Sequence, residues 1–408
     1  MSVASDLPIY ILTHEFFPRK GGIATFTEEM ARAAAKLGHR VEVWAPRGEN
    51  SGDADFPFSV KRLSLKGSQD ISCQFRLAKE WIQQRRKLRK AIVYLSDPGP
   101  ILAMRYLQFF KAFKPARLVI TFHGSEVKRF AASPIRRFIV NMLVKRADRI
   151  SAPSEFTHGL ILKTFPAAAR KTYLTPGALR SNFEGPKGAA PQSSERVHIL
   201  TVGRIHPRKG QAHIMEALSD LPEELQEKVS FWIVGTGNKR GYGDRLREMA
   251  SRVGFGVTFF GDVSNQELED LYARASIFSM TSVNFRKSVE GFGLVYLEAA
   301  AHGLPIVANR IGGVAEAVSH GENGLLVEPG DRKGLTEAFA RLIRDRELRS
   351  RMGQNGLTWA RRNNWIQSAE LLFNRWDIEI DPSSKPKCAS SESDASKSNP
   401  LSASPHDC

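Results

Sequence analysis

The chain has 408 residues, 42% hydrophobic and 25% charged, and a net charge of +16 at pH 7. That is the balance of a soluble globular protein with room for two or three domains, and no apolar run approaches the ~20 residues a membrane-spanning helix needs. The charge is uneven: residues 1–180 hold 31 Lys and Arg against 14 Asp and Glu, and the remainder is close to neutral. Such a field favours an anionic partner, whether nucleic acid, an acidic glycan or an anionic membrane.

In chain order, "PIYILT" is expected as a first buried strand; the opening residues lack a basic lead and carry Asp6, unlike a signal peptide. A Gly-Gly loop and the helix "ATFTEEMARAAAKLG" follow, then the strand "RVEVWAP" and a basic helix over "QFRLAKEWIQQRRKLRKAIV". The strand "ARLVITFHG", the helix "SPIRRFIVNMLVKRA" and the strand "RISAPS" complete a first domain over residues 1–182. Residues 183–195, "FEGPKGAAPQSSE", read as a linker. The alternation restarts over 196–364, from "VHILTVGR" to the helix "GLTEAFARLIRDRELRSRMGQNG". A helix lies in 365–380 around "NWIQSAELLFNRW", and the polar stretch 381–408 is expected to be disordered. Strand–helix alternation predicts parallel sheets covered on both faces, so the fold class is α/β with two doubly wound units facing a cleft. Ligands of such sheets bind beyond the carboxyl ends of the strands. The three scattered cysteines, Cys73, Cys388 and Cys408, have no metal or disulfide spacing and fit a reducing cytoplasm.

Several stretches could carry chemistry. Gly21 and Gly22 stand between the first strand and first helix, where glycine lets a backbone approach a phosphate or simply makes a tight turn. "VGTGNKRGYGDRL" departs from the G-x-G-x-x-G spacing and lacks the later acidic residue, so it is not read as a dinucleotide site. Asp53-Ala-Asp55 mimics a metal-binding Asp-x-Asp but lies in a polar loop and is read as a solvated turn, so no metal is assigned. In "TVGRIHPRKG", Arg204 and Lys209 follow a strand and could neutralise a diphosphate; the alternative is a basic surface loop. His123 ends "LVITFHG", where it either packs or meets a ligand. In "VEGFGLVYLEAAAHG", Gly291 and Gly293 hold Glu290 in a loop and put Glu298 about one turn into the next helix. Amides near Gly293 and Leu294 would cradle an anion. Carboxylates beside a phosphate make sense if they face sugar hydroxyls: Glu298 a ribose, Glu290 a hexose. That is the shape of a nucleotide sugar.

The early Gly-Gly loop, "TFHG", "VGRIHPRKG", "VEGFGLVYLEAAAHGLPIVA", "GGVAEAV" and "GENGLLVEPGD", in this order, resemble the GT-B retaining glycosyltransferases of family 4, over about residues 8–378. The resemblance implies two Rossmann-like domains around a central cleft and a hexosyltransferase activity. It implies that Glu298 holds the ribose and Glu290 the donor sugar, and that Arg204 and Lys209 stabilise the departing diphosphate. His123 would contact the sugar, Gly22, Phe292, Gly293 and Leu294 would frame diphosphate and sugar, and Val263 lies where the base is held. It further implies front-face attack with no covalent intermediate, no metal and no cofactor beyond the donor substrate. The family's usual Pro-Asn-Gly-Val-Asp stands here as "TPGALRSNF". Three basic segments around 81–95, 104–118 and 133–147 mix Phe, Leu and Ile with Arg and Lys. They are either interfacial helices or ordinary amphipathic ones packing inward. Expected partners are therefore a nucleotide-sugar donor and a glycan or lipid-linked acceptor, with an anionic membrane surface at the inner face of the plasma membrane. Rival readings are a glycosyltransferase with a soluble small-molecule acceptor, a nucleotide-sugar epimerase, which needs no acceptor, and a non-catalytic nucleic-acid-binding protein, for which no helix-turn-helix, zinc or stacking signature is present.

Overall fold

The computed structural model describes residues 7–48, 55–65, 70–183, 185, 196–374 and 376. The expected linker apart from residues 183 and 185, residue Asp53, the expected tail, Cys388 and Cys408 lie outside them. The N-terminal lobe holds strands β1 (Ile9–Leu12), β2 (Val41–Pro46), β3 (Ser59–Leu63), β4 (Ile92–Leu95), β5 (Arg117–Thr121), β6 (Arg149–Ala152) and β7 (Thr172–Leu174). The C-terminal lobe holds β8 (Val197–Val202), β9 (Val229–Val234), β10 (Gly256–Gly261), β11 (Ile277–Met280), β12 (Ile306–Asn309) and β13 (Gly324–Val327). The sheet orders are β3-β2-β1-β4-β5-β6-β7 and β10-β9-β8-β11-β12-β13, every pairing parallel. Both sheets reverse direction at their first strand, so each has a switch point, β1/β4 in one lobe and β8/β11 in the other.

Strands β1, β4, β6, β9, β11, β12 and β13 are buried at every residue, as expected of parallel strands covered by helices on both faces. One correction to the sequence reading concerns β4. The basic helix ends at Leu88, not in "AIV"; the chain turns at Arg89–Lys90 and Ile92–Leu95 becomes a central strand. A four-residue apolar run following a helix with no Gly or Pro between them carries no period of its own. Strands β3 and β7, short and near one edge each, were also not among the expected elements.

The chain crosses between lobes over 176–183: Ala178 belongs to the N-lobe core, whereas Leu179 and Phe183 pack on the C-lobe core. It returns after the helix Arg346–Ala360, and the helix Trp365–Phe373 packs on the N-lobe against the helix Gly22–Lys36. Trp365 meets Phe26 edge-on at 5.1 Å, and Phe373 meets Tyr94 at 5.5 Å. The two crossings are stitched together: Asn363 Nδ2 donates to Gly177 O (2.9 Å) and Trp365 Nε1 to Leu179 O (2.8 Å).

Candidate active site

The site is built where both switch points face each other. After β8 the chain makes a short 3-10 turn, Pro207–Lys209, whose start is capped by the His206 imidazole accepting from Arg208 N at 3.0 Å. Burial and the surrounding cations Lys239, Arg208, Arg204 and Lys209 lower the His206 pKa, which keeps the ring neutral and able to accept. Gly210 then adopts φ +77°, and a Cβ there would stand 2.1 Å from Thr281 O. Only glycine lets this turn lie against the loop after β11.

That close approach delivers two cations to one carboxylate. Arg208 Nη1 (2.7 Å), Lys209 Nζ (2.9 Å) and Ser282 Oγ (3.1 Å) all donate to Glu290 Oε2. Burial pushes the Glu290 carboxyl up, but Lys209 and Arg208 outweigh it and bring the pKa down to about 2. Burial lowers the Lys209 pKa and Glu290 opposes that, the two side chains meeting as an ion pair. Glu290 and the cations therefore form one cluster. Arg208 is the arginine in it; Arg204 is exposed, and its charge partly opposes the upward shift that burial and Asp97 impose on the carboxyl of Glu15, after β1.

The helix Leu294–Ala301 starts beside Glu290, with Gly293 at φ +88° as its N-cap; a Cβ on Gly293 would stand 2.6 Å from the Tyr296 ring. The first amides of a helix have no intrahelical partner and attract anions. Glu298, one turn on, accepts from the Tyr272 hydroxyl (3.3 Å) and lies 3.8 Å from Arg180 Nε. The Phe292 ring is buried in the C-lobe core and Leu294 is wedged against Gly177 of the crossing, so these two residues have mainly their backbone to offer the cleft.

From the N-lobe, His123 follows β5. Its Nε2 donates to Ser96 O (2.8 Å), its main-chain N–H donates to Glu126, and Phe26 meets the ring edge-on at 5.3 Å. The lobes touch here. Ser125 Oγ donates to Val289 O (3.1 Å) and accepts from Val289 N (3.0 Å), and Ser154 Oγ donates to Gly291 O (2.6 Å). Glu316 caps the opposite lobe's helix Glu155–Thr164, accepting from Glu155 N (2.6 Å) and Phe156 N (2.9 Å). Gly21 and Gly22 lie exposed at the start of the first helix, and the neighbouring Lys20 reaches over to Asp262 Oδ1 (2.8 Å) and Val263 O (2.6 Å).

His123, Glu290, Leu294 and Glu298 thus lie at or beside contacts between the lobes or their crossing, whereas the Phe292 ring is in the C-lobe core. Arg208, Ser282, Glu15, Arg180 and Tyr272 were not among the sequence-predicted site residues. Arg208 adjoins Lys209 and was legible in "HPRKG"; the others have no local signal. The first two glycines of "VGTGNKRGYG" are explained by packing: Cβ atoms at Gly235 and Gly237 would stand 2.2 Å from Gly203 O and 2.7 Å from Ile205 O. Among the described residues no group of three or more His, Cys, Asp or Glu converges as a metal site. A cavity of about 630 Å³ lies not in this cleft but at the hinge, beside Glu29, Leu179 and Trp365.

Residues 20–179 match the family model described as Glycosyltransferase Family 4, and residues 187–359 the one described as Glycosyl transferases group 1. The GDP-mannose-dependent alpha-(1-6)-phosphatidylinositol monomannoside mannosyltransferase of Mycolicibacterium smegmatis is 27% identical over 388 residues, 90% of this chain and 98% of that one. The D-inositol 3-phosphate glycosyltransferase of Corynebacterium glutamicum is 30% identical over 261 residues, 61% of each chain. Among solved structures, Anabaena HepE in complex with UDP and glucose has a TM-score of 0.69 at 19% identity, over 90% of this chain and 96% of that one. Sucrose-phosphate synthase from Thermosynechococcus elongatus has a TM-score of 0.68 at 22% identity, over 91% and 96%. These two likenesses are of fold. With two matched models spanning both lobes and the GT-B architecture, the chain belongs to the family 4 glycosyltransferases.

Proposed function

We propose that the chain moves a sugar from a nucleotide diphosphate donor, GDP-mannose-like or a UDP-sugar, to a hydroxyl of a lipid-linked or cell-surface glycan acceptor. Transfer retains the anomeric configuration and needs no metal. The observation that carries this reading is the cluster of Lys209 and Arg208 on Glu290 at the β8/β11 switch point, where the adjoining Gly291 abuts the main-chain oxygen of His123 from the other lobe.

As the C–O bond of the donor breaks, the anomeric carbon becomes oxocarbenium-like and the bond electrons pass to the phosphate. Lys209, Arg204 and the first amides of helix Leu294–Ala301 stabilise that growing charge, with Gly21, Gly22 and Gly293 leaving the backbone close. Glu290 accepts hydrogen bonds from sugar hydroxyls, His123 contacts the sugar, Glu298 holds the ribose and Val263 borders the base. The acceptor oxygen attacks from the leaving-group side; its proton goes to the departing phosphate oxygen, so no covalent enzyme intermediate forms. Two cationic side chains supply the charge that a divalent ion would otherwise bring. Transfer that continues in excess chelator supports this, and loss restored by Mn2+ or Mg2+ contradicts it.

The M. smegmatis relative's name specifies a GDP-mannose donor and a phosphatidylinositol-based acceptor, which supports the same classes here. A thermal-shift panel of UDP, GDP, ADP and their sugars identifies the donor; absence of any shift contradicts the reading.

The acceptor reading includes peripheral attachment to an anionic membrane, on the cytoplasmic side. Helices Ile71–Leu88, Pro98–Leu107 and Pro134–Arg146 pack side by side, and Phe75, Phe110, Ile135 and Phe138 stand 69%, 60%, 73% and 65% exposed on or beside them among Lys and Arg. Apolar side chains facing outward within a basic surface are what an interfacial surface needs. Among the described residues no helix is long and apolar enough to cross a membrane. Flotation with phosphatidylserine-containing liposomes at low salt, lost at high salt, is the expected result; no retention at low salt points to a soluble acceptor.

A further inference from the structure

Residues 177–181, which join the lobes, do not pass the donor-binding helix idly. Gly177 abuts its first residue so closely that a Cβ there would stand 2.2 Å from Leu294 Cδ2. Three residues later Arg180 spans the cleft's inner edge. Its Nη2 donates to Thr25 Oγ1 at 3.0 Å, in the first turn of the N-lobe helix Gly22–Lys36, while its Nε lies 3.8 Å from Glu298 Oε1 on the C-lobe. The next residue is fastened to the N-lobe, Ser181 N donating to Glu29 Oε2 at 2.9 Å. The guanidinium is a planar fork that can serve two partners at once, which a lysine ammonium does less rigidly. It therefore holds one partner in each lobe from a position on the hinge itself. Arg180 falls within "TPGALRSNF", where this chain departs from its family's usual wording.

We propose that Arg180 is a positioning residue that couples nucleotide binding to lobe closure: a ribose fixed on Glu298 orients that carboxylate toward the guanidinium, and the guanidinium fixes the first helix of the opposite lobe. The proposal rests on the reading of Glu298 as the ribose carboxylate. Binding that orders one end of the tie lowers the cost of ordering the other, and by linkage a broken tie weakens both closure and affinity.

The test uses the full chain with GDP and UDP as probes. Nucleotide Kd is measured by calorimetry for the wild type, Arg180→Met, Glu298→Gln and the double variant, and the radius of gyration is followed by X-ray scattering with and without nucleotide. Arg180→Met keeps the stem and removes the charge; Arg180→Lys is the conservative variant. The expected result is that Arg180→Met loses most of the nucleotide-induced compaction and lowers kcat more than it raises donor KM. Arg180→Lys should recover part of both, and the double variant should bind no more weakly than Glu298→Gln alone. Wild-type compaction and kcat in a folded Arg180→Met, with Glu298→Gln weakened, would overturn the coupling while leaving the ribose assignment intact. Unaltered nucleotide affinity in Glu298→Gln would remove the ribose assignment and the coupling with it.

Discussion

His123 presents its main-chain oxygen to Gly291 so closely that a Cβ on Gly291 would stand 2.1 Å from it. The two residues belong to opposite lobes, and the glycine is the one that carries the chain away from Glu290. A methyl group there meets backbone, which cannot swing aside, so the lobes must part. Gly291→Ala is therefore expected to keep each lobe folded but to displace the His123 loop from the Glu290 loop. Misplacement of about 1 Å costs up to a hundredfold in rate. Steady-state kinetics with a thermal melt check this: a fall in kcat of that order with a near-normal Tm is expected, and an unchanged kcat would count against it.

If Lys209 and Arg204 stabilise the departing diphosphate as proposed, their loss should be felt mainly in the chemical step. Lys209→Ala and Arg204→Ala are each expected to lower kcat by about a hundredfold or more, by analogy with losing one preorganised donor to a developing anion. Arg208→Ala should also act through Glu290, which loses one of its three donors. Near-normal turnover in a folded Lys209→Ala would contradict the role given to it.

The same cluster carries a stability signature. Replacing Glu290 by Gln strands Lys209 and Arg208, both about nine-tenths buried, without their counter-charge. Breaking such a pair from one side costs about 3 kcal/mol. The folded pKa of Glu290 is depressed, to about 2 from 4.5, so its contribution is fully present above pH 4.5 and is lost as pH falls toward 2. Denaturant unfolding should show wild type and Glu290→Gln well separated at pH 7 and converging through that window. A constant gap at all pH values would mean that the carboxylate is not the charged member of the cluster.

Glu29 behaves in the opposite sense. It is buried at the hinge, and desolvation raises its pKa despite the hydrogen bonds from Ser181. A raised carboxyl pKa means the folded state prefers the protonated form. The ionised group therefore costs stability above its folded pKa, and the cost is absent below 4.5. Glu29→Gln keeps an acceptor for Ser181 N and is expected to match or exceed the wild-type Tm at pH 7–8, with the difference vanishing toward pH 4.5. A clear loss of Tm at pH 8 would show that the charge itself is needed.

What could be read from residues alone was the part written in local patterns. The strand ends with their following glycines and cations assign Lys209, Glu290, Glu298 and His123 to one cleft, because an α/β sheet puts such loops together. Strand β4 was hidden because Ile92–Leu95 continues the apolar content of the preceding helix without a breaker. Ser282 and Tyr272 gained meaning only from partners on other elements, and Arg180 from Thr25, 155 positions away in the chain. The segment holding Phe138 was open to an interfacial or an inward-packing reading, and only the structure shows that its ring faces outward; Phe75 lies outside the basic segments singled out.

The central claim is that this cleft grips a diphosphate with Lys209, Arg204 and helix-start amides. Calorimetric titration in excess chelator with GDP, GMP, UDP and UMP tests it most directly, repeated on Lys209→Ala. A diphosphate binding at least tenfold more tightly than its monophosphate, with that preference lost in the variant, is the expected result; equal affinity for mono- and diphosphates in the wild type would contradict it.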